Sequence, residues 1–186
     1  MLAFSDGVIA IIITIMVLEL RPPHEASIEA LIPMAPIFLS YLLSFIYVAI
    51  YWNNHHHMMA ACERVNGGIL WANMALLFFL SLLPFSTAWM DEHIGQSAPT
   101  ALYGVTLLAP AIAYYVLQSV LVQEHGKDSL LARSLGSDFK GKLSPFAYIA
   151  GIGLAFVNPY VAQAIFVAMA LVWLIPHRRI EKRMAS

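Results

Sequence analysis

The chain has 186 residues, of which 60% are hydrophobic and only 11% charged, against about 45–50% and about 25% in an ordinary soluble domain. Such a composition excludes a water-soluble globular domain and points to an integral membrane protein. The net charge of −1 decides little, because in a bilayer the sidedness of charges matters more than their sum, and the single cysteine, Cys62, excludes an internal disulfide or a paired-thiol redox centre.

The first apolar run extends from Phe4 to Leu20. It has neither a basic leader nor a small-residue cleavage site, so it is expected to stay as a membrane span. It opens on Phe4, Ser5 and Asp6 and carries Thr14 at its middle. A carboxylate so close to hydrocarbon is costly without partners, which makes Asp6 a candidate functional residue. The second run, Met34 to Tyr51, ends in the polar cluster YWNNHHHMM. Its three adjacent histidines, His55, His56 and His57, point about 100° apart on a helix, so they cannot grip one metal ion together; hydrogen bonding to neighbouring helix ends is the expected role.

The third and fourth runs, Ile69 to Trp89 and Ala101 to Val122, reach the ~20 residues needed for a ~30 Å core. The fifth and sixth, Leu143 to Val157 and Tyr160 to Ile175, are shorter, like the first, which suggests shielding inside a bundle. Asn158 and Pro159 leave only a tight turn between them and predict an antiparallel hairpin. The expected architecture is therefore all-α, one six-helix membrane domain over residues 1–186.

Nine of the ten basic residues follow the second, fourth and sixth runs: Arg64, Lys127, Arg133, Lys140, Lys142, Arg178, Arg179, Lys182 and Arg183. Only Arg21 falls on the other side. The positive-inside rule then places both termini in the cytoplasm. Glu25, Glu29, Asp91 and Glu92 fall in the outer loops, and Trp52, Trp89 and Trp173 near run ends fit interfacial belts.

On a helix at about 100° per residue, with Ile11 at zero, Thr14 falls at about −60°, Ile15 at about +40°, Leu18 at about −20° and Asp6 at about 220°. One stripe is aliphatic with a single hydroxyl, and the carboxylate points elsewhere. Such a stripe suits either helix packing or the lining of a pore. No Gly-rich phosphate loop, Gly-x-Ser-x-Gly elbow or His-Glu-x-x-His occurs, so neither an enzyme, a bound cofactor nor a nucleic-acid partner is expected. A proton-coupled or other secondary cation transporter is the alternative to a channel. It would use Pro84 and Pro110 as helix breaks, but no carboxylate lies mid-span beside them.

Phe-Ser-Asp followed by GVIAIIITIMVLEL, then YWNNHHH, LWANMALLFFLSLLPFSTAW and the tail WLIPHRRIEKR, together resemble the transmembrane protein 175 family, the endosomal and lysosomal potassium channels and their shorter bacterial relatives. The likeness covers nearly the whole chain. It implies a passive potassium-selective channel of the bacterial inner membrane, a homotetramer in the lipid bilayer whose central pore is lined by the first helix and lacks a Thr-Val-Gly-Tyr-Gly filter. By position, Ile11 would form the narrowest ring, Thr14 the polar layer beside it, and Ile15 and Leu18 further pore-lining positions, with potassium as the permeant monovalent cation and no bound metal. Phe4, Ser5 and Asp6 would tie the pore helix to its neighbours from behind, in a network with Trp52, His55, His56 and Asn73. The family pattern also places an Arg four positions ahead of the Phe, a position before Met1, so a basic partner for Asp6 falls outside the sequence.

Overall fold

The computed structural model describes residues 1–126, 129 and 139–174, and the architecture is all-helical. Lys127, Arg133, Ile175 and the basic tail from Arg178 to Arg183 lie outside the described residues. Helix α1 spans Leu2–Leu18, a 3-10 turn covers Glu29–Met34, and α2 runs over Ala35–Ala60 with Pro36 in its first turn, where a missing N–H leaves nothing unsatisfied. Three helical stretches are long and apolar enough to cross a membrane: Glu29–Ala60, Gly67–Glu92 and Ser97–His125.

The second of these is two helices in line, α3 (Gly67–Ser81) and α4 (Leu83–Glu92). The break falls just before Pro84, whose ring has no N–H to continue the ladder. Asn66 caps α3, its Oδ1 accepting from the Ile69 N–H at 2.9 Å. Helix α5 (Ser97–His125) has 29 residues with Pro110 inside it, and Gly126, at φ 87°, ends it. Helices α6 (Phe139–Ala155) and α7 (Pro159–Leu174) turn back on one another across Asn158, whose Oδ1 accepts from the Tyr160 N–H at 3.0 Å.

Two of the helices outrun their apolar runs. Helix α2 continues nine residues past Tyr51, through the histidines, and α5 begins before Ala101 and ends after Val122. In α2 the reason is visible in the side chains: the polar groups of that last stretch bond other helices or their own carbonyls, and so do not compete with the backbone.

Helix α5 packs against α3 and α6, α6 against α7, and α1 against α2, α3 and α4. The core at the α5–α6–α7 junction is built on Phe166, which is fully buried. A Cβ added at Gly104 would stand 2.7 Å from Ile152 and 2.8 Å from Phe166, and one at Gly151 would collide with the same ring. Glycine at both positions lets the three helices approach, as small residues do at membrane helix interfaces.

Candidate functional site

Helix α1 has two unlike faces. Ser5, Ile9, Ile12 and Met16 are buried against the chain's own bundle, and their spacing of four, three and four places them on one side. Ile11, Thr14, Ile15 and Leu18 lie opposite and are exposed, Leu18 at 78%. The aliphatic stripe expected from the sequence thus lies on the exposed side of α1. Val17 is exposed as well, at the stripe's edge. Thr14 donates its hydroxyl hydrogen to the Ile11 carbonyl at 2.9 Å. That bond directs the hydrogen into the helix and leaves oxygen lone pairs for an outside cation.

The opposite face is held by polar side chains. Asn73 on α3 donates from Nδ2 to Ser5 Oγ at 3.0 Å, and its Oδ1 accepts from His55 Nε2 at 2.7 Å. Ser5 and His55 are 0% exposed and Asn73 1%. One amide therefore joins α1, α2 and α3, and its two roles put the His55 proton on Nε2. Asp6 lies beside this triad with partners of its own: Trp52 donates from Nε1 to its Oδ1 at 3.0 Å, and His56 Nδ1 stands 3.7 Å from Oδ2. Of the network the sequence suggested, Trp52 bonds Asp6 and His56 stands beside it, while Asn73 bonds Ser5 and His55 bonds Asn73. Phe4 is 56% exposed and stands apart from these bonds.

The tryptophans do more than mark a membrane interface. Trp52 holds Asp6, and Trp173 donates from Nε1 to Ser144 Oγ at 2.8 Å. Trp89 lines a groove of about 530 Å³ between α1 and α4, together with Ile11, Ile15, Phe85 and, at its rim, Glu19 and Glu92.

A second polar system escaped the sequence reading. Ser40 on α2 donates to Asp91, Ser44 hydrogen-bonds Thr87 at 2.8 Å and Tyr103 at 3.0 Å, Ser86 meets Thr106 at 2.7 Å, and Tyr47 donates to the Phe166 carbonyl at 2.7 Å. The signal was present as Ser40, Ser44, Tyr47, Tyr51 and His55, spaced four, three, four and four along α2 and hence on one face. Inside an apolar bundle these hydroxyls act as interhelical ties. Among the described residues no group of three or more His, Cys, Asp or Glu side chains is placed to hold a metal ion.

Comparison with known proteins identifies the family. The pattern of the endosomal/lysosomal potassium channel TMEM175 fits residues 1–84, which hold Ser5, Asp6, Trp52, His55, His56 and Asn73. A potassium channel of a Chryseobacterium species is 51% identical over 181 residues, 97% of this chain and 94% of its own length. A potassium channel of Streptomyces collinus is 29% identical, with 91% and 87% covered. A crystal structure of a lysosomal potassium-selective channel TMEM175 homolog from Chamaesiphon minutus superposes with a TM-score of 0.78 at 26% identity, covering 94% of each chain. A relative that shares half its residues along nearly the whole length leaves one assignment: this chain belongs to the TMEM175 family, a family of ion channels and not of enzymes.

Proposed function

We propose that the chain is one subunit of a homotetrameric, potassium-selective channel of the bacterial inner membrane, with six spans per subunit and both termini cytoplasmic. The third span is α3 and α4 together. One observation carries this reading: the exposed stripe of Ile11, Thr14, Ile15 and Leu18 on a helix whose other face is fastened to its own bundle. A single such helix cannot enclose a pore, so copies must meet around an axis. The potassium channels among its relatives support the choice of ion.

In this arrangement the four Ile11 side chains close the pore. Their methyls offer no lone pairs to replace an ion's water, so the ring is a barrier even where it is not a plug. Thr14, with its hydrogen turned inward, supplies oxygen to a partly dehydrated cation one turn away. Four hydroxyls replace a hydration shell less completely than stacked carbonyl rings, so selectivity is modest. The sequence contains no Thr-Val-Gly-Tyr-Gly run to supply such rings. Opening requires only that each α1 move outward by an ångström or two.

Purified protein in liposomes should dissipate a potassium gradient at electrical rates with no coupled ion. Flux that stops unless protons or sodium move with potassium would establish the carrier instead. Ile11→Asn should wet the constriction and raise resting current while Ile11→Phe suppresses it; an Ile11→Asn channel no leakier than the parent would place the gate elsewhere.

A further inference from the structure

The turn between α2 and α3 is fastened to the end of α5 by one imidazole. His125 stands in the last turn of α5, and its Nδ1–H donates to the Leu121 carbonyl at 2.9 Å. That bond fixes the tautomer and leaves a lone pair on Nε2. Two backbone N–H groups of the turn converge on this nitrogen, from Glu63 at 3.2 Å and from Arg64 at 3.1 Å. A second strut stands beside it, Asn66 Nδ2 donating to Glu124 Oε2 at 2.6 Å. Two donors aimed at one ring nitrogen require the neutral ring. A proton on Nε2 would put a third N–H against the other two and leave both amides without an acceptor.

We propose that His125 is a proton-operated latch: neutral, it clamps the α2–α3 turn to α5; protonated, it lets the turn go. The proton comes from water on the side that carries the chain's basic residues; the two N–H bonds to Nε2 are lost, and the Asn66–Glu124 strut alone is left to hold the junction. The turn joins α2, which carries Trp52, His55 and His56, to α3, which carries Asn73, and these are the side chains that hold Ser5 and Asp6 of α1. Releasing it loosens the frame behind the pore helix. On the reading that α1 lines the pore, outward movement of the gate then becomes easier, and acid on that side raises conductance.

Among the described residues the other groups around the latch are few. The turn brings the Cys62 thiol, 3.8 Å from Nε2, and the charged Glu63 and Arg64; α5 itself brings Glu124; the last turn of α2 brings His57. Residues 67–72, which open α3, contain no titratable side chain, and α6 carries Lys140 and Lys142 at this end. His125→Gln is the discriminating variant. Its amide oxygen can accept from the same two N–H groups, cannot take up a proton near neutrality, and leaves every other titratable group in place.

Hydrogen exchange at the Glu63 and Arg64 amides of the full chain in nanodiscs tests the latch without any current. Corrected for intrinsic exchange, protection should be constant where the ring stays neutral and fall about tenfold per pH unit where opening is linked to uptake of one proton. The His125→Gln protein should show no such slope. A flat profile in the parent, or an equal slope in the variant, would overturn the latch. In planar bilayers, acidifying only the side bearing the basic loops should raise current severalfold in the parent and not in His125→Gln. Exchange that titrates while current stays unchanged would overturn the coupling to α1, and a parent that passes no current at any pH would instead count against the channel reading.

Discussion

Replacing Asn73 with leucine removes the one side chain that bonds both Ser5 and His55, and the result can be estimated from burial. Both partners are 0% exposed, so neither can turn to water. An unsatisfied buried polar group costs about 1–3 kcal/mol, which for two gives about 2–6 kcal/mol. Hydrogen bonds between helices in a bilayer measure lower, about 0.6 kcal/mol on average, which sets a floor near 1.2 kcal/mol for the pair. Ser5 can also rotate its hydroxyl to a carbonyl of its own helix one turn back. The expected loss is therefore about 2–3 kcal/mol, most of it from His55, whose ring has no such alternative and whose Nδ1 already lacks a protein partner. Detergent titration of the refoldable protein, followed by circular dichroism, would measure it. In a double-mutant cycle, Ser5→Ala should cost less in the Asn73→Leu background than in the parent, because the shared bond is already gone. An Asn73→Leu protein as stable as the parent, or strict additivity with Ser5→Ala, would refute the claim that this amide ties three helices together.

Asp6→Ala should lose oligomer or expression before it alters ion preference, since it strands Trp52 Nε1 and His56 on the face turned from the exposed stripe; a well-assembled variant with changed selectivity in bilayer recordings would contradict this. Thr14→Val should lower the potassium-to-sodium permeability ratio measured from reversal potentials, and an unchanged ratio would remove Thr14 from the ion path. Gly104→Ala should destabilise by about 1–3 kcal/mol in the same detergent titration, because its methyl meets the buried Phe166 ring, and a neutral result would show that α5 and α7 can part at no cost. Cys62 should react with maleimide more slowly than a free cysteine at neutral pH, because partial burial pushes its thiol above the usual range and so reduces the thiolate fraction, although a backbone hydrogen bond from Arg64 pulls the other way. Labelling as fast as that of free cysteine would show the α2–α3 turn to be open already.

The helices and the two faces of α1 were legible because both rest on local periodicity. A 3.6-residue repeat separates Ser5, Ile9, Ile12 and Met16 from Ile11, Thr14, Ile15 and Leu18 whatever surrounds the helix. Helix ends were less legible. Asn54, His55 and His56 fall past the end of the apolar run, and the helix continues through them because Asn54 bonds the Ile50 carbonyl, His55 bonds Asn73 and His56 lies against Asp6. Pro84 is visible in the sequence, yet whether a proline kinks a span or divides it depends on the packing around it. The ties least legible were those whose partners are far apart along the chain. Ser44 with Thr87 and Tyr103, and His125 with two backbone amides near residue 63, leave no short motif, because a hydroxyl or a peptide N–H carries no sequence signature.

The length of α5 bears on the lipid. At 1.5 Å per residue its 29 residues reach about 44 Å. A hydrocarbon layer of ~30 Å is shorter than that. In such a bilayer α5 must lean or stand clear of the surface at its ends, each adjustment costing fractions of a kcal/mol per ångström of mismatch. Thick membranes relieve the helix and thin ones burden it, so acyl-chain length becomes a control on the protein independent of any ligand. Reconstituted in a series of lipids of increasing chain length, the protein should be least stable in the thinnest bilayers.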